Sequence, residues 1–331
     1  MTGALAPLPA QRAVTAWEEK YAEPSREVCR RALVELARAD PRVMCVDADV
    51  GGLEDLFEEL PDQYVNVGIA EANLISTAAG MAAAGLIPYA HTLSSFGAAR
   101  ACEQVKVDVA GNGLPVRIVV THGGLSAGHY GPTHHAVEDL AIMRLMPGMT
   151  VVVPADAFEA EQALLASVDL PGPLFLRLGR NATPLVHHEP RPFEVGRAIE
   201  LVHGGDVTLV AAGPYPVLMA LEAAELLAGD GVRARVLDMH TLKPLDTAAL
   251  VRAAVETRGV VTVEDHLVIG GLGGAVCEAL AGTHPCPVRR IGVPDRFNDI
   301  VGDERHLLTV AGITPDAIAA AAMAVVRPDG R

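Results

Sequence analysis

At 331 residues the chain is long enough for two domains of ordinary size, and with half its residues hydrophobic but only 4% aromatic its core rests mostly on Ala, Val and Leu. That composition favours an α/β protein over an aromatic-rich β-sandwich. A formal net charge of −15 argues against nucleic acid and acidic membrane surfaces as general partners, while leaving room for a local basic pocket that takes phosphate.

The first twenty residues lack a basic start followed by an apolar core, and nowhere do about 18 apolar residues run together, so a soluble, cytoplasmic chain is expected, with residues 1–23 as an N-terminal extension. Ser25 is suited to cap a helix running to about residue 38. An apolar strand over 43–46 then ends in Asp47-Ala48-Asp49, and acidic residues at the carboxyl end of a buried strand are typical of α/β binding crevices. After a short strand at 63–67, residues 70–84 read as a helix with almost no charge beyond its first turn, which predicts a helix buried all round. Glu71 enters the interior at its start and needs a polar partner. It either bonds its own helix's free amides or is reserved for a ligand nitrogen.

The alternation continues with strands near 86–90, 116–121, 150–153 and 174–178, and with helices at 96–110, from about 136, and at 157–168. Such spacing means a mainly parallel, doubly wound sheet covered on both faces. Residues 184–192, with three prolines, read as an extended linker; His187-His188 within it is expected to be solvated, because no third ligand lies nearby in sequence. A second, smaller α/β unit follows, with strands at 207–211, 233–237, 260–263 and 288–291 and helices at 217–227, 247–255, 274–281 and 315–326. Its glycine-rich 270–274 stretch lacks a full dinucleotide-binding register and reads as a packing device. Gly229-Asp230-Gly231 reads as a turn. Cysteines 29, 45, 102, 277 and 286 form neither a CxxC pair nor a zinc-ligand spacing, as expected of reduced thiols.

Two further stretches carry chemistry: VGIAEAN over 67–73, and THGGLSAGHYGPTHHAVEDLAIMR over 121–144, a glycine-rich loop with several histidines that runs into a helix. With DADVGG at 47–52 and VVPAD at 152–156, they make four motifs in an order that resembles the transketolase family of thiamine diphosphate enzymes, including transketolases split into two chains. The chain is also similar to 1-deoxyxylulose-5-phosphate synthase and to 2-oxo acid dehydrogenase beta subunits. The resemblance runs from about residue 24 to 326. It implies a pyrimidine-binding domain over 24–181, a linker over 182–194 and a transketolase C-terminal domain over 195–331.

By this resemblance Glu71 exchanges a proton with the cofactor's pyrimidine ring, Phe96 stacks on that ring, and Asp49 contacts thiamine. The alternatives are an ordinary core ring for Phe96 and a structural cap for Asp49. Arg26, His122 and Arg180 match positions that bind a sugar's terminal phosphate, a task suited to guanidinium forks. His134 matches the histidine at the donor's reacting carbonyl or hydroxyl region. Where many transketolases have Glu-Asp before Gly-Pro-Thr-His, this chain has His129-Tyr130, so Tyr130 replaces a carboxylate that reads the acceptor hydroxyl.

The family's magnesium-binding Gly-Asp-Gly followed by a suitably spaced Asn is not recognisable here. The resemblance therefore implies a partner, an N-terminal subunit carrying the diphosphate-binding domain and most of the Mg2+ contacts, with self-association into an α2β2 heterotetramer. No metal ligand is assigned to this chain. Three functions stay open: a transketolase subunit moving a two-carbon ketol unit between sugars or sugar phosphates, a subunit of another thiamine diphosphate synthase or 2-oxo acid dehydrogenase, and a non-catalytic supporting subunit.

Overall fold

A computed structural model describes residues 15–327; residues 1–14 of the expected extension lie outside the described residues. After a short helix α1 (Ala16–Lys20), the chain forms α2 (Ser25–Ala39), β1 (Val43–Asp47), β2 (Tyr64–Asn66), α3 (Glu71–Ala83) and β3 (Ile87–Leu93). An irregular helical stretch follows, with a three-residue α4 (Cys102–Gln104) between π-helical turns at Phe96–Arg100 and Val105–Val109. Then come β4 (Arg117–Thr121), α5 (Asp139–Leu145), β5 (Thr150–Val152), α6 (Ala157–Ser167) and β6 (Leu174–Arg177). The second half comprises β7 (Ile199–Val202), β8 (Val207–Ala212), α7 (Pro214–Gly229), β9 (Ala234–Asp238), β10 (Thr241–Lys243), α8 (Thr247–Glu256), β11 (Val260–Leu267), α9 (Leu272–Ala281), β12 (Val288–Val293), α10 (Glu304–Val310) and α11 (Pro315–Val326).

The first sheet runs β10-β5-β6-β4-β3-β1-β2 and the second β12-β11-β8-β9-β7. All pairings are parallel except those of the edge strands β10 and β7. β1, β3, β4 and β6 are buried almost throughout, as continuous apolar runs in a two-sided sheet must be. The sheet order reverses around β1, which has β2 on one side and β3 on the other, so a crevice opens at the carboxyl ends of β1, β3 and β4. β10 leaves the second half of the chain to pair with β5, which fastens the halves through backbone hydrogen bonds.

Several expectations are corrected. α2 is capped by Pro24 with no side-chain bond, and Ser25 is a buried first-turn residue. α3 buries only one stripe, Glu71, Leu74, Ile75, Ala78, Ala79 and Ala82, while Asn73, Ser76 and Gly80 face outward. The helix expected over 96–110 is broken into π-helical and α-helical pieces, and Gly97 in the first of them packs against Thr92 and Val120 with no room for a Cβ. α5 starts at Asp139 rather than near 136, since Ala136 pairs as a bridge with Gly124. His187 is buried, whereas its neighbour His188 is exposed. The Gly229-Asp230-Gly231 turn closes α7 as expected, with Gly231 at φ 77°.

Candidate active site

Glu71 is the first residue of α3, only 2% exposed, and α3 has no side-chain cap. Its Oε2 accepts a hydrogen bond from Arg100 Nη1 at 2.7 Å. The Arg100 guanidinium also lies 4.2 Å from the Phe96 ring centroid, so a planar cation stacks on Phe96 while donating to Glu71. Arg100 itself remains half exposed. The sequence reading missed it, although its place four residues after Phe96 could have flagged it; the π-helical turn, a backbone form frequent at functional sites, brings the two together.

From Phe96 a row of rings runs along the crevice. Phe96 meets His134 edge-on at 5.1 Å, His134 lies 4.9 Å from Tyr130, and Tyr130 lies 6.1 Å from His122. The Arg180 guanidinium stands 5.9 Å from the Tyr130 ring. His134 Nδ1 bonds Thr133 Oγ1 at 2.9 Å, and His122 Nδ1 bonds Thr121 Oγ1 at 2.8 Å. Each imidazole thus has one nitrogen fixed by its neighbour, which orients the other.

At the far end of this row sits a cationic cluster. Burial, then the charges of Arg26 and Arg180, push His122 down to a pKa of about 3, so it is a neutral hydrogen-bonding group at physiological pH. His122 also carries a positive φ of 62°, an uncommon conformation for a residue with a Cβ. Arg180 Nε is buried with no hydrogen-bond partner among the described residues, and Arg26 Nε lies 3.0 Å from Glu27 Oε1 in an ion pair too misaligned to count as a hydrogen bond. Arg30, buried on the same helix and missed in the sequence, adds a third guanidinium. The uncapped start of α2, with its free amides, reinforces this positive field. A cavity of about 440 Å³ opens beside Arg180, lined by Ser126, His129, Tyr215 and Glu304 among others.

Asp49 stands somewhat apart. It is exposed, at φ 63°, and accepts from Asn66 Nδ2 at 3.3 Å, which ties the end of β1 to the entry of α3. The neighbouring Asp47 is fully buried and closes its loop by accepting from Val50 N–H and Tyr64 Oη.

A buried ionic frame, also missed in the sequence, holds the histidine-bearing loop. Arg177 Nε donates to Asp139 Oδ2 at 2.7 Å, and its Nη2 donates to the carbonyls of Ala136 and Asp265. Asp265, from β11 in the second half, accepts the Leu125 N–H. Gly124, at φ 60°, lies so close to this carboxylate that a Cβ there would fall 1.6 Å from Asp265 Oδ2. The 270–274 glycines do pack tightly: Glu264 accepts the N–H groups of Leu272 and Gly273, and a Cβ on Gly271 would fall 1.9 Å from its Oε2.

Residues 24–186 match the pyrimidine-binding domain of transketolase, and residues 196–318 match the transketolase C-terminal domain. The chain is 42% identical over 293 residues to a 6-deoxy-6-sulfo-D-fructose transketolase subunit of Clostridium sp. (strain MSTE9), covering 88% of this chain and 90% of that one. It is 39% identical over 307 residues to an apulose-4-phosphate transketolase subunit of Phocaeicola vulgatus, covering 90% and 97%. Among solved structures, a split-gene transketolase described as an inactive beta4 tetramer superposes with a TM-score of 0.84 at 40% identity, over 92% of this chain and 98% of that one. The chain therefore belongs to the transketolase family, as the C-terminal subunit of a thiamine diphosphate-dependent transketolase, a transferase of ketol units.

Proposed function

We propose that this chain supplies the pyrimidine side of the thiamine diphosphate site and the sugar-binding crevice, and that it moves a two-carbon ketol unit from a ketose or ketose phosphate to an aldehyde only when joined to a second kind of subunit. The observation that carries the reading is the buried Glu71 carboxylate beside the face of Phe96. Arg100 fits that space as an aminopyrimidine would, stacked on the ring and donating N–H to the carboxylate. The residues present thus suit the cofactor, with Arg100 swinging outward to admit it.

When bound, thiamine diphosphate supplies a nucleophilic carbon and an electron sink for the ketol unit. Glu71 Oε2 holds and exchanges a proton with the pyrimidine nitrogen. Phe96 provides the stacking face, and Asp49 contacts the thiamine from the end of β1. His134 holds a proton at the donor's reacting oxygen. Arg26 and Arg180 hold the sugar's anionic end by charge-assisted hydrogen bonds, with His122 as a neutral partner. Tyr130, 49% exposed, borders the acceptor side.

The substrates named for the two relatives each end in an anion, a sulfonate or a phosphate, and the guanidiniums here suit either. The chain divides functionally into a pyrimidine-binding domain over 24–181, a linker over 182–194 and a C-terminal domain over 195–331. Its partner carries the diphosphate-binding domain and holds Mg2+ with the cofactor phosphates, in an α2β2 heterotetramer that works on carbohydrates in the cytoplasm. Support for a partner comes from apolar residues exposed at the entry of α3 and in the π-helical turn that packs against it, Ile69 at 72% and Val107 at 55%, an apolar surface suited to another chain.

The test is reconstitution. Purified alone, the chain binds thiamine diphosphate and magnesium weakly by calorimetry and turns over no ketose; adding the partner restores both. Tight, magnesium-dependent cofactor binding by this chain alone would overturn the division of the site.

A further inference from the structure

Far from the loop histidines in sequence, three buried side chains converge where the two sheets meet. Glu159 lies in the first turn of α6, His187 in the segment joining the two halves, and Asp238 at the end of β9, just before the chain crosses to β10 in the other sheet. One donor atom from each lies within 4.8 Å of the other two, and all three residues are buried. His187 Nε2 is 2.7 Å from Glu159 Oε1. No N–H or hydroxyl donor among the described residues reaches either oxygen of the fully buried Asp238, whose carboxyl lies within hydrogen-bonding reach of Glu159.

Glu159 has His187 beside it, while burial and Glu159 raise the pKa of the Asp238 carboxyl. Two buried carboxylates at this spacing repel strongly unless a proton or a cation lies between them, and the charged neighbours of Asp238 are Glu159 and Asp156, both acidic. Among the described residues neither Glu159 nor Asp238 pairs with an Arg or Lys.

The surroundings fix these groups rather than quench them. Asp156 is already engaged: Oδ1 caps α6 through Glu159 N–H, and Oδ2 accepts from Val186 and His187 N–H. Glu159 Oε2 accepts from Ala155 N–H, which leaves Oε1 toward the cluster. The His187 carbonyl accepts from the Trp17 indole at 2.8 Å, and its ring stands edge-on to Phe158. Two residues beyond Asp238, His240 bonds Thr241 Oγ1 through Nδ1 and stacks on Phe193, leaving Nε2 buried with no partner among the described residues.

We propose that Glu159, His187 and Asp238 bind a divalent transition cation of the zinc type at the seam between the two sheets. Imidazole nitrogen with two carboxylates is a donor set for zinc, cobalt or manganese; calcium would demand more oxygens and magnesium would keep its waters. Two carboxylates neutralise the ion, and water or His240 completes its coordination. With ligands from α6, the joining segment and β9, such an ion clamps the two halves and serves structure rather than ketol transfer.

The test uses the full chain grown with added zinc and purified without chelator. Elemental analysis is expected to find about one zinc per chain. Chelation lowers the melting temperature of the wild type, and zinc or cobalt restores it. D238N and H187Q retain neither the ion nor the response to chelator. Cobalt-substituted wild type gives a visible d–d spectrum whether or not a variant folds. Absence of metal, with a melting temperature indifferent to zinc, cobalt and chelator, overturns the proposal and leaves a proton shared between Asp238 and Glu159. Full metal retention by both variants overturns it too, by placing the ion elsewhere.

Discussion

Glu71→Gln keeps the size of the side chain and a hydrogen bond for Arg100, but it removes the group able to exchange a proton with the pyrimidine ring. Folding and assembly with the partner are expected to survive. Proton exchange at the cofactor's reactive carbon should slow by about 10²- to 10⁴-fold, the range for losing one general acid–base group. Deuterium exchange in the assembled enzyme, with thermal melting as the folding control, measures this; a loss under about threefold would remove the proton role. Arg180→Ala acts at the other end of the ring row. A hydrogen bond to a charged group contributes roughly 1.5 to 3 kcal/mol, so KM for a phosphorylated substrate should rise about 10-fold or more. The same substrate without its phosphate should be affected far less, and equal losses on both would make Arg180 structural.

At the scale of elements, the histidine-bearing loop owes its shape to Gly124. Gly124→Ala faces two penalties: a left-handed φ and a Cβ driven into Asp265. Gly85→Ala meets only the first, since Gly85 has a φ of 91° and open space around its Cα. Chemical unfolding should therefore show Gly124→Ala losing about 1 to 3 kcal/mol more than Gly85→Ala, the usual cost of overpacking, along with activity in the assembled enzyme. Equal losses would mean the loop yields without strain. The strand-to-helix step that carries Glu71 was legible because local period reports it directly, whereas Phe96 opens a π-helical turn and His134 lies in a loop, and both were legible only through their motifs. Arg177, Asp139 and Asp265 were not, because Asp265 lies 88 residues from Arg177 and only the fold brings them together. His187 was misjudged for the same reason: its partner Glu159 lies 28 residues away, in a helix that reads as ordinary. β10 escaped notice because a three-residue strand that changes sheets has no periodicity to read.

The molecule as a whole gathers acidic groups at the seam between its halves, and these set how its stability depends on pH. Burial, then the charge of Asp265, raises Glu304 to about 8, and burial raises Glu264 to about 7. In the unfolded chain both ionise near the ordinary glutamate value of about 4.5. Above that value the folded protein holds protons that the unfolded chain has lost, so their contribution to stability declines as pH rises through 7 and 8. His91 works in the opposite sense. Burial and Arg30 depress it to about 3, so its contribution is present above about 6.5 and is lost as pH falls toward 3. Between roughly 4.5 and 6.5 the two trends oppose one another, and above 6.5 only the acids act. The melting temperature of the wild type should therefore fall between pH 6.5 and 8.5. Glu304→Gln, which keeps the shape of the protonated side chain but cannot ionise, should flatten that limb and, by removing its share of the opposing trend, steepen the rise between about 4.5 and 6.5, while leaving the part below about 4.5 unmoved. An alkaline limb as steep in Glu304→Gln as in the wild type would show that Glu304 ionises freely in the folded protein.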